Sequence, residues 1–430
     1  MFHAQVADPL FRNAYALMIN TGATGLLGLA YWLLAARHYA VADVGRASAT
    51  YAAMNLLSGL TALNLTGALS RFLPQSGRRT AGLVIRTYAV SSVAAVAIAV
   101  PFLLTVSHWG SSYAQLSGLT AGLFFTACVV TWGIFTLQDG VLIGLRSAIW
   151  VPVENGIFGV VKIALLVALA AVLPRAGIYI SWMLPVAMSL PLINLLIFGR
   201  LIPRHAQATA DRSPPTGKQV ARFLAGDYTG ALCVLASTLL VPVLVAMRTG
   251  PGLYAYFYIA WVIGGTLDLF AVNMATSLTV EGSFDAATLA VNCRAALRKT
   301  IFILVPIAVG LALLAPRMLA LFGAGYSAHG ALILELLAVA TLPKTVTEIY
   351  IGALRAQSRT SLIALIQGVR CALVLGLAVA LTGLVGIVGA ALAVLASQVL
   401  VAAAVAPGLR RIFAGGRSQP APIVADGDIR

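Results

Sequence analysis

Long apolar segments, each near the length that crosses a lipid bilayer, follow one another along this 430-residue chain. A membrane-spanning helix needs about 20 consecutive apolar residues. Hydrophobic residues make up 60% of the chain and charged residues only 10%, whereas a soluble domain carries about 25% charged residues. The chain lacks the polar surface that would cover a water-soluble globule, so the sequence predicts an integral membrane protein.

The apolar segments predict helices and not the strands of a barrel. Strands of a membrane barrel alternate apolar and polar residues, whereas residues 160–173 and 363–381 are apolar on all sides. The first segment is too long for a signal-peptide core and follows Asp8, so we interpret it as an uncleaved span. The twelve predicted spans are 14–36, 47–70, 83–106, 116–137, 153–173, 176–199, 221–246, 254–280, 300–322, 326–353, 361–382 and 384–406.

The distribution of basic residues predicts the orientation of these spans. Loops and tails on the side of the N-terminus hold 20 Lys and Arg residues, and the opposite side holds five. Cytoplasmic loops carry the excess of positive charge, so both termini are expected in the cytoplasm of a cell that carries the protein in its inner or plasma membrane. The five residues predicted outside are Arg37, Arg46, Arg175, Arg248 and Arg317. The cations are scattered, so no nucleic-acid partner is expected.

A short internal repeat indicates two related halves. The segment Val-Lys-Ile-Ala-Leu at 161–165 recurs as Val-Arg-Cys-Ala-Leu at 369–373, which places the basic residues Lys162 and Arg370 in the middle of two spans. Six spans per half is an even number, so the halves have the same orientation and form a parallel repeat. Transporters commonly place a substrate site between such halves.

The repeat and the longest polar segment predict the domain organisation. The chain divides into an N-terminal six-helix lobe at 1–199, a cytoplasmic linker at 200–220, a C-terminal six-helix lobe at 221–406 and a cytoplasmic tail at 407–430. The linker contains three prolines and five basic residues within 200–222.

Charged residues inside spans are costly, so each is a candidate functional residue. These residues are Glu154, Lys162, Asp227, Asp268, Glu335, Lys344, Glu348 and Arg370. An alternative is that they only form structural ion pairs. Lys344 and Glu348 are four residues apart, where side chains on one helix can meet. Lys162 would then pair with Glu154, and Arg370 with Glu335 or Glu348.

Polar and aromatic residues leave two further alternatives open. Polar side chains at helical spacing on the first two spans face either a neighbouring helix or a water-filled cavity; they are Asn13, Asn20 and Thr24, then Arg46, Thr50, Ser58 and Thr61. The aromatic cluster at 254–261 is either an interfacial belt or a stacking surface for sugar rings or a polyprenyl chain. The four cysteines include no Cys-x-x-Cys pair, so no metal and no cofactor are expected.

Four short segments resemble the polysaccharide flippases of the multidrug/oligosaccharidyl-lipid/polysaccharide exporter superfamily. They are Phe11-Arg12-Asn13 at the start of the first span, Ala42-Asp43-Val44-Gly45 after it, Arg71-Phe72-Leu73-Pro74 after the second span, and Leu321-Phe322-Gly323-Ala324-Gly325-Tyr326 before the tenth. Each segment is short, and the specificity lies in their order and spacing.

The resemblance implies a V-shaped all-α bundle of two six-helix lobes around a central cavity lined by spans one, two, seven and eight. Carried over by position, the lining candidates are Arg12, Asn13, Arg46, Asp227, Asp268 and Asn273. Lys162 and Arg370 are a second basic pair, suggested by the repeat. The implied function is to flip a polyprenyl-(pyro)phosphate-linked oligosaccharide across the membrane by alternating access. An ion gradient is a candidate energy source, and membrane lipid, a glycan polymerase and glycosyltransferases are candidate partners.

Two alternatives remain at this stage. A multidrug exporter has the same fold, so fold alone does not separate it from a flippase. A multispan glycosyltransferase that uses a polyprenyl-phosphate sugar would place an acidic residue in the first external loop, where Asp43 lies. The short external loops disfavour the enzyme, because such enzymes carry a large external segment that holds the acceptor.

Overall fold

The computed structural model describes residues 9–212, 214–226, 228–284 and 289–415, with side chains from Asn20 onward except at 225–226, 270, 280–284 and 415. Within these ranges the chain is helical and contains no β-strand. The helices are α1 Pro9–His38, α2 Val41–Ala62, α3 Leu65–Phe72, α4 Thr80–Leu104, α5 Leu119–Gly144, α6 Trp150–Ala170, α7 Gly177–Leu196, α8 Ile202–Ala208, α9 Gly217–Gly226, α10 Tyr228–Leu235, α11 Val241–Arg248, α12 Pro251–Phe284, α13 Leu289–Ala320, α14 Ala324–Ala356, α15 Thr360–Val385 and α16 Ile387–Gly415.

Ten helical segments of the described chain are long and apolar enough to cross a membrane, and the bent pair α2–α3 makes an eleventh. The remaining predicted span, the first, corresponds to α1, a helix of 30 residues. The bend of 44° between α2 and α3 occurs at Asn64, whose φ of 60° is left-handed. Asparagine tolerates this conformation better than most residues, and its amide donates a hydrogen bond to the Leu224 carbonyl oxygen at 3.3 Å.

The helices pack as two lobes. In the N-terminal lobe α1 packs on α6, α6 on α7, and α5 on α2 and α4; in the C-terminal lobe α14 packs on α12, α13 and α16, and α15 on α16. The lobes meet where α2 lies along α12. Gly45 makes this approach possible, because a Cβ at that position would overlap the Pro251 carbonyl group.

Corresponding glycines in the two lobes serve the same packing role. Gly144, near the end of α5, faces the Leu69 carbonyl oxygen, and Gly352, near the end of α14, faces that of Ala275. A Cβ on either glycine would lie within 2.8 Å of the carbonyl oxygen. Predicted spans four and two therefore meet as spans ten and eight do, which agrees with a parallel repeat.

Candidate functional site

The N-terminal lobe contains a cavity of about 410 Å³ between α1, α2, α5, α6, α7 and α12. We call it the lysine cavity, because Lys162 projects into it from α6. Its walls are mainly aromatic: Trp32, Tyr51, Trp132, Phe135, Phe158, Trp182 and Tyr258. Its polar lining residues are Asn20, Thr24, Thr136, Asp139, Asn155, Lys162 and Thr266. Aromatic walls with a few convergent polar groups are typical of small-molecule sites.

Lys162 is 4% exposed, and its ammonium group is held by aromatic rings. The Nζ atom lies 3.7 Å from the centroid of Trp182, 4.7 Å from that of Phe158 and 5.0 Å from that of Tyr31. No acidic side chain of the described residues forms an ion pair with it. Cation–π contacts stabilise an ammonium group without supplying a counter-charge.

The predicted pair of Lys162 with Glu154 is wrong. Both residues lie on α6, and eight positions of an α-helix span about 12 Å, which is too far for an ion pair. Glu154 is 3% exposed, and its two carboxylate oxygens have no hydrogen-bond partner within the described chain.

The aromatic cluster at 254–261 is not an interfacial belt. Tyr254 and Phe257 are fully buried, and Tyr258 is 5% exposed. The Tyr258 ring lies 5.0 Å from that of Trp32 and lines the lysine cavity. One ring of the cluster therefore forms part of an aromatic cavity wall, and its stacking against sugar rings or a polyprenyl chain stays a prediction.

The C-terminal lobe contains a second cavity of about 260 Å³, which we call the ion-pair cavity. Here Arg370 Nη1 of α15 lies 2.6 Å from Glu348 Oε1 of α14, and Lys344 Nζ of α14 lies 2.6 Å from Asp268 Oδ2 of α12. The suggested pairing of Lys344 with Glu348 on one helix is therefore wrong, because each residue has a closer partner on a neighbouring helix. The suggested pair of Arg370 with Glu348 is present.

Helix α12 separates the two cavities. Tyr258, Val262 and Thr266 recur every four residues and line the lysine cavity. Gly265 and Asp268 of the same helix line the ion-pair cavity. Predicted spans one, two and eight contribute to the first cavity, and spans seven and eight to the second.

Two other predicted site residues, Arg46 and Asn273, do not line the lysine cavity. Arg46 lines a third cleft and pairs with Asp43, and Asn273 is exposed on α12. The side chains of Arg12 and Asn13, and the whole of Asp227, lie outside the described residues.

Asp139 of the lysine cavity was missed by the sequence analysis. The predicted fourth span ended at residue 137, whereas α5 continues to Gly144, so this carboxylate appeared to lie in a loop. Asp139 is half-buried and lies beside the Asn155 side chain. A sharper estimate of the end of the helix would have identified it as a charge within a span.

The sequence matches no family model and no curated protein, but solved structures share its fold. An inward-facing multidrug resistance transporter of the MATE family of the MOP superfamily aligns with a TM-score of 0.68 at 14% identity, covering 93% of this chain and 96% of that one. The lipid II flippase MurJ, in an inward closed conformation, aligns with a TM-score of 0.68 at 14% identity, covering 93% and 90%.

A third structure, a MOP superfamily transporter from Pyrococcus furiosus, aligns with a TM-score of 0.60 at 13% identity, covering 96% and 98%. At these identities the comparisons establish the fold and not the substrate. The chain is a membrane protein with the two-lobed helical fold of MOP superfamily transporters.

Proposed function

We propose that this chain flips a polyprenyl-(pyro)phosphate-linked oligosaccharide from the cytoplasmic to the outer leaflet of the cell membrane, by alternating access. The observation that carries the proposal is the lysine cavity, in which a buried lysine lies among aromatic rings and has no acidic partner among the described residues. Such a substrate combines an anionic phosphate with a sugar head and an apolar tail, and the cavity offers groups that suit the first two.

Each part of the cavity has a chemical role in this proposal. The Lys162 ammonium group attracts the phosphate, and its charge acts strongly where water is sparse. Half-buried aromatic side chains of the cavity wall, such as Tyr51 and Trp132, stack on the apolar faces of sugar rings. Asn20, Asp139 and Asn155 supply amide and carboxylate groups that hydrogen-bond sugar hydroxyls.

Transport by the purified protein tests the proposal. The protein is reconstituted in liposomes with a fluorescent polyprenyl-diphosphate oligosaccharide, and flipping is followed by the rate at which the label becomes accessible to a quencher. Lys162→Met should reduce the rate about tenfold or more, because one charge-assisted phosphate contact is lost. Lys299→Met, on the exposed surface of α13, is the matched control. Unchanged flipping by folded Lys162→Met would contradict the proposal.

The alternative is an exporter of lipophilic organic cations. Aromatic walls together with the Asp139 carboxylate favour it, since cations bind aromatic faces and pair with carboxylates. Lys162 disfavours it, because a buried like charge repels such a substrate. The sign of the Lys162→Met effect separates the two functions: cation export should become faster, and flipping of a phosphate-bearing lipid slower.

The proposed direction of transport requires both termini in the cytoplasm, as the cation bias predicts. In a variant lacking the native cysteines, Lys218→Cys should react with an impermeant maleimide only from the cytoplasmic side. Ser117→Cys, in the loop before α5, should react only from outside. The reverse labelling pattern would overturn the proposed orientation.

A further inference from the structure

We propose a second binding site, for the phosphate group of a membrane lipid, at the end of the N-terminal lobe where α2, α5 and α7 begin. The site is a cleft of about 590 Å³ that shares no lining residue with the lysine cavity. We call it the arginine cleft, after Arg46 and Arg175, which both line it. This site does not depend on the substrate proposed above.

The charge of the cleft favours an anion. Arg46 forms an ion pair with Asp43 through one Nη atom, and its other guanidinium N–H groups have no partner within the described chain. Arg175 is exposed and forms no ion pair or hydrogen bond with the described residues. The two guanidinium groups and one carboxylate leave a net charge of +1. Guanidinium groups bind phosphate oxygens with paired, charge-assisted hydrogen bonds.

Other cations predicted on the same side are used differently. Arg37 donates to the Leu321 carbonyl oxygen, and Arg248 donates to that of Val379. Both arginines thereby join distant segments of the fold. Arg46 and Arg175 instead line the same cleft, and both have guanidinium N–H groups without a partner among the described residues. The packing of the lobe does not require this arrangement.

The apolar side of the cleft favours a lipid over a free anion. Phe124, which lines the cleft, is 51% exposed, and the half-buried Ala121 and the exposed Ala176 also line it. In a bilayer these side chains contact acyl chains. A ligand in the cleft therefore meets guanidinium groups at its head and apolar surface at its tail, which is the chemistry of a phosphate-bearing lipid.

Polar contacts hold the cleft open in a defined shape. The Gln115 amide donates to the Arg46 carbonyl oxygen at 2.9 Å and to Thr50 Oγ1 at 2.7 Å. These bonds fix the 3₁₀ segment Ser111–Leu116 against the first turns of α2. Asp43 lies in the first turn of α2, where a carboxylate is stabilised by the helix dipole. A purely structural role explains Asp43, but not the position of Arg175.

The test measures lipid binding to the whole protein by native mass spectrometry in a neutral detergent. The probes are a short-chain phosphatidate, the matching diacylglycerol, a polyprenyl phosphate and inorganic phosphate. The variants are Arg175→Gln, the double variant Arg46→Gln/Arg175→Gln, and Asp43→Asn. Arg317→Gln, which removes an exposed cation at the end of α13, is the matched control.

We expect phosphatidate to bind more tightly than diacylglycerol. The double variant should weaken phosphatidate binding about tenfold or more, because two charge-assisted contacts are lost. Asp43→Asn should strengthen it, because the repulsion from the carboxylate is removed while both arginines remain. The control should bind as the unmodified protein does. Arg175→Gln removes an exposed side chain without described partners, so it provides a reading even if the double variant does not fold.

Several results would overturn the site: equal binding of phosphatidate and diacylglycerol, unweakened binding by the folded arginine variants, or an equal loss in the Arg317→Gln control. Inorganic phosphate that binds as tightly as the lipids would show a free-anion site and overturn the lipid assignment. Preference for polyprenyl phosphate over phosphatidate would identify a carrier lipid as the ligand, and equal binding would identify bulk phospholipid. Both of these outcomes support the shared chemistry.

Discussion

The two lobes place a buried basic residue at repeat-related positions, but only one of these residues has an acidic partner. Arg370 and Lys162 are each 4% exposed. The Arg370 guanidinium group is paired with Glu348, whereas the Lys162 ammonium group contacts only aromatic rings among the described side chains. The two lobes share one architecture but surround the corresponding buried charges with different groups. In the C-terminal lobe the charge joins two helices through an ion pair, and in the N-terminal lobe it has no counter-charge among the described residues.

The energetics of buried charge predict different consequences when each of the two basic residues is replaced. A buried ion pair contributes little net stability, but removal of one partner leaves an uncompensated charge in a poorly solvating environment. The Arg370 pair is therefore expected to be required for folding. A lysine stabilised by cation–π contacts has no such partner to leave behind. Mutations should separate the two residues by whether they affect the fold or transport.

The largest expected effect is on folding, from Arg370→Met. This change leaves the Glu348 carboxylate buried without its partner and should destabilise the protein by about 3–5 kcal/mol. Thermal unfolding and the yield of monodisperse protein in detergent measure the effect. The double variant Glu348→Met/Arg370→Met should recover most of the stability, because no charge remains unpaired. If Arg370→Met is as stable as the unmodified protein, the ion pair of Arg370 with Glu348 has no structural role.

The second mutation, Lys162→Met, should change the stability less than Arg370→Met does and should reduce transport instead. Lys162→Met loses cation–π contacts worth about 0.5–2 kcal/mol but also removes the desolvation cost of a buried charge. We therefore expect a thermal midpoint near that of the unmodified protein, together with the loss of flipping described above. Lys162→Arg keeps the charge and should retain part of the transport rate. If Lys162→Met lost as much folded protein as Arg370→Met does, Lys162 would also be required for folding, and the proposed difference between the lobes would be wrong.

The sequence was sufficient to predict the fold class and to recognise Lys162 and Arg370 as corresponding positions of the repeat. Hydropathy and local motifs can be read without knowing the tertiary neighbours. It was not sufficient for the partners of the charged residues. Lys344 and Glu348 have the correct spacing on one helix, yet α12 and α15 bring Asp268 and Arg370 closer. Which side chain completes a buried pair depends on the packing of helices that are distant in sequence.

The same limit explains two other differences in the site. Arg46 was expected in the central cavity but lies in the arginine cleft, because helix rotation directs a side chain and the sequence alone does not define that rotation. Asp139 was missed because apolarity declines before the helix ends. The aromatic walls come from six helices, and only the cluster at 254–261 was visible as a local pattern.

A third, smaller effect concerns the more exposed pair of the ion-pair cavity. The side chains of Asp268 and Lys344 are 37% and 15% exposed, against 5% for both members of the Arg370 pair. Solvent screens such a pair, so Asp268→Asn should cost only about 0.2–1 kcal/mol. Thermal unfolding of Asp268→Asn and of Glu348→Gln, measured in the same assay, compares the two ion pairs. If the two variants are equally destabilised, burial does not explain the difference between the pairs.

The smallest expected effect comes from Glu154→Gln in the N-terminal lobe. Glu154 is as buried as Glu348, at 3% and 4% exposed, but its carboxylate has no described partner. Replacement by the isosteric neutral amide therefore breaks no ion pair and removes the cost of burying a charge. We expect the unfolding free energy to change by less than about 1 kcal/mol, or to increase. Glu348→Gln in the same assay should be clearly destabilising, because it leaves the Arg370 charge unpaired. A matched loss of stability in Glu154→Gln would mean that this carboxylate has a counter-charge after all. The N-terminal lobe would then hold a charge pair comparable to that of its C-terminal counterpart, and the two lobes would no longer differ in how they compensate buried charge.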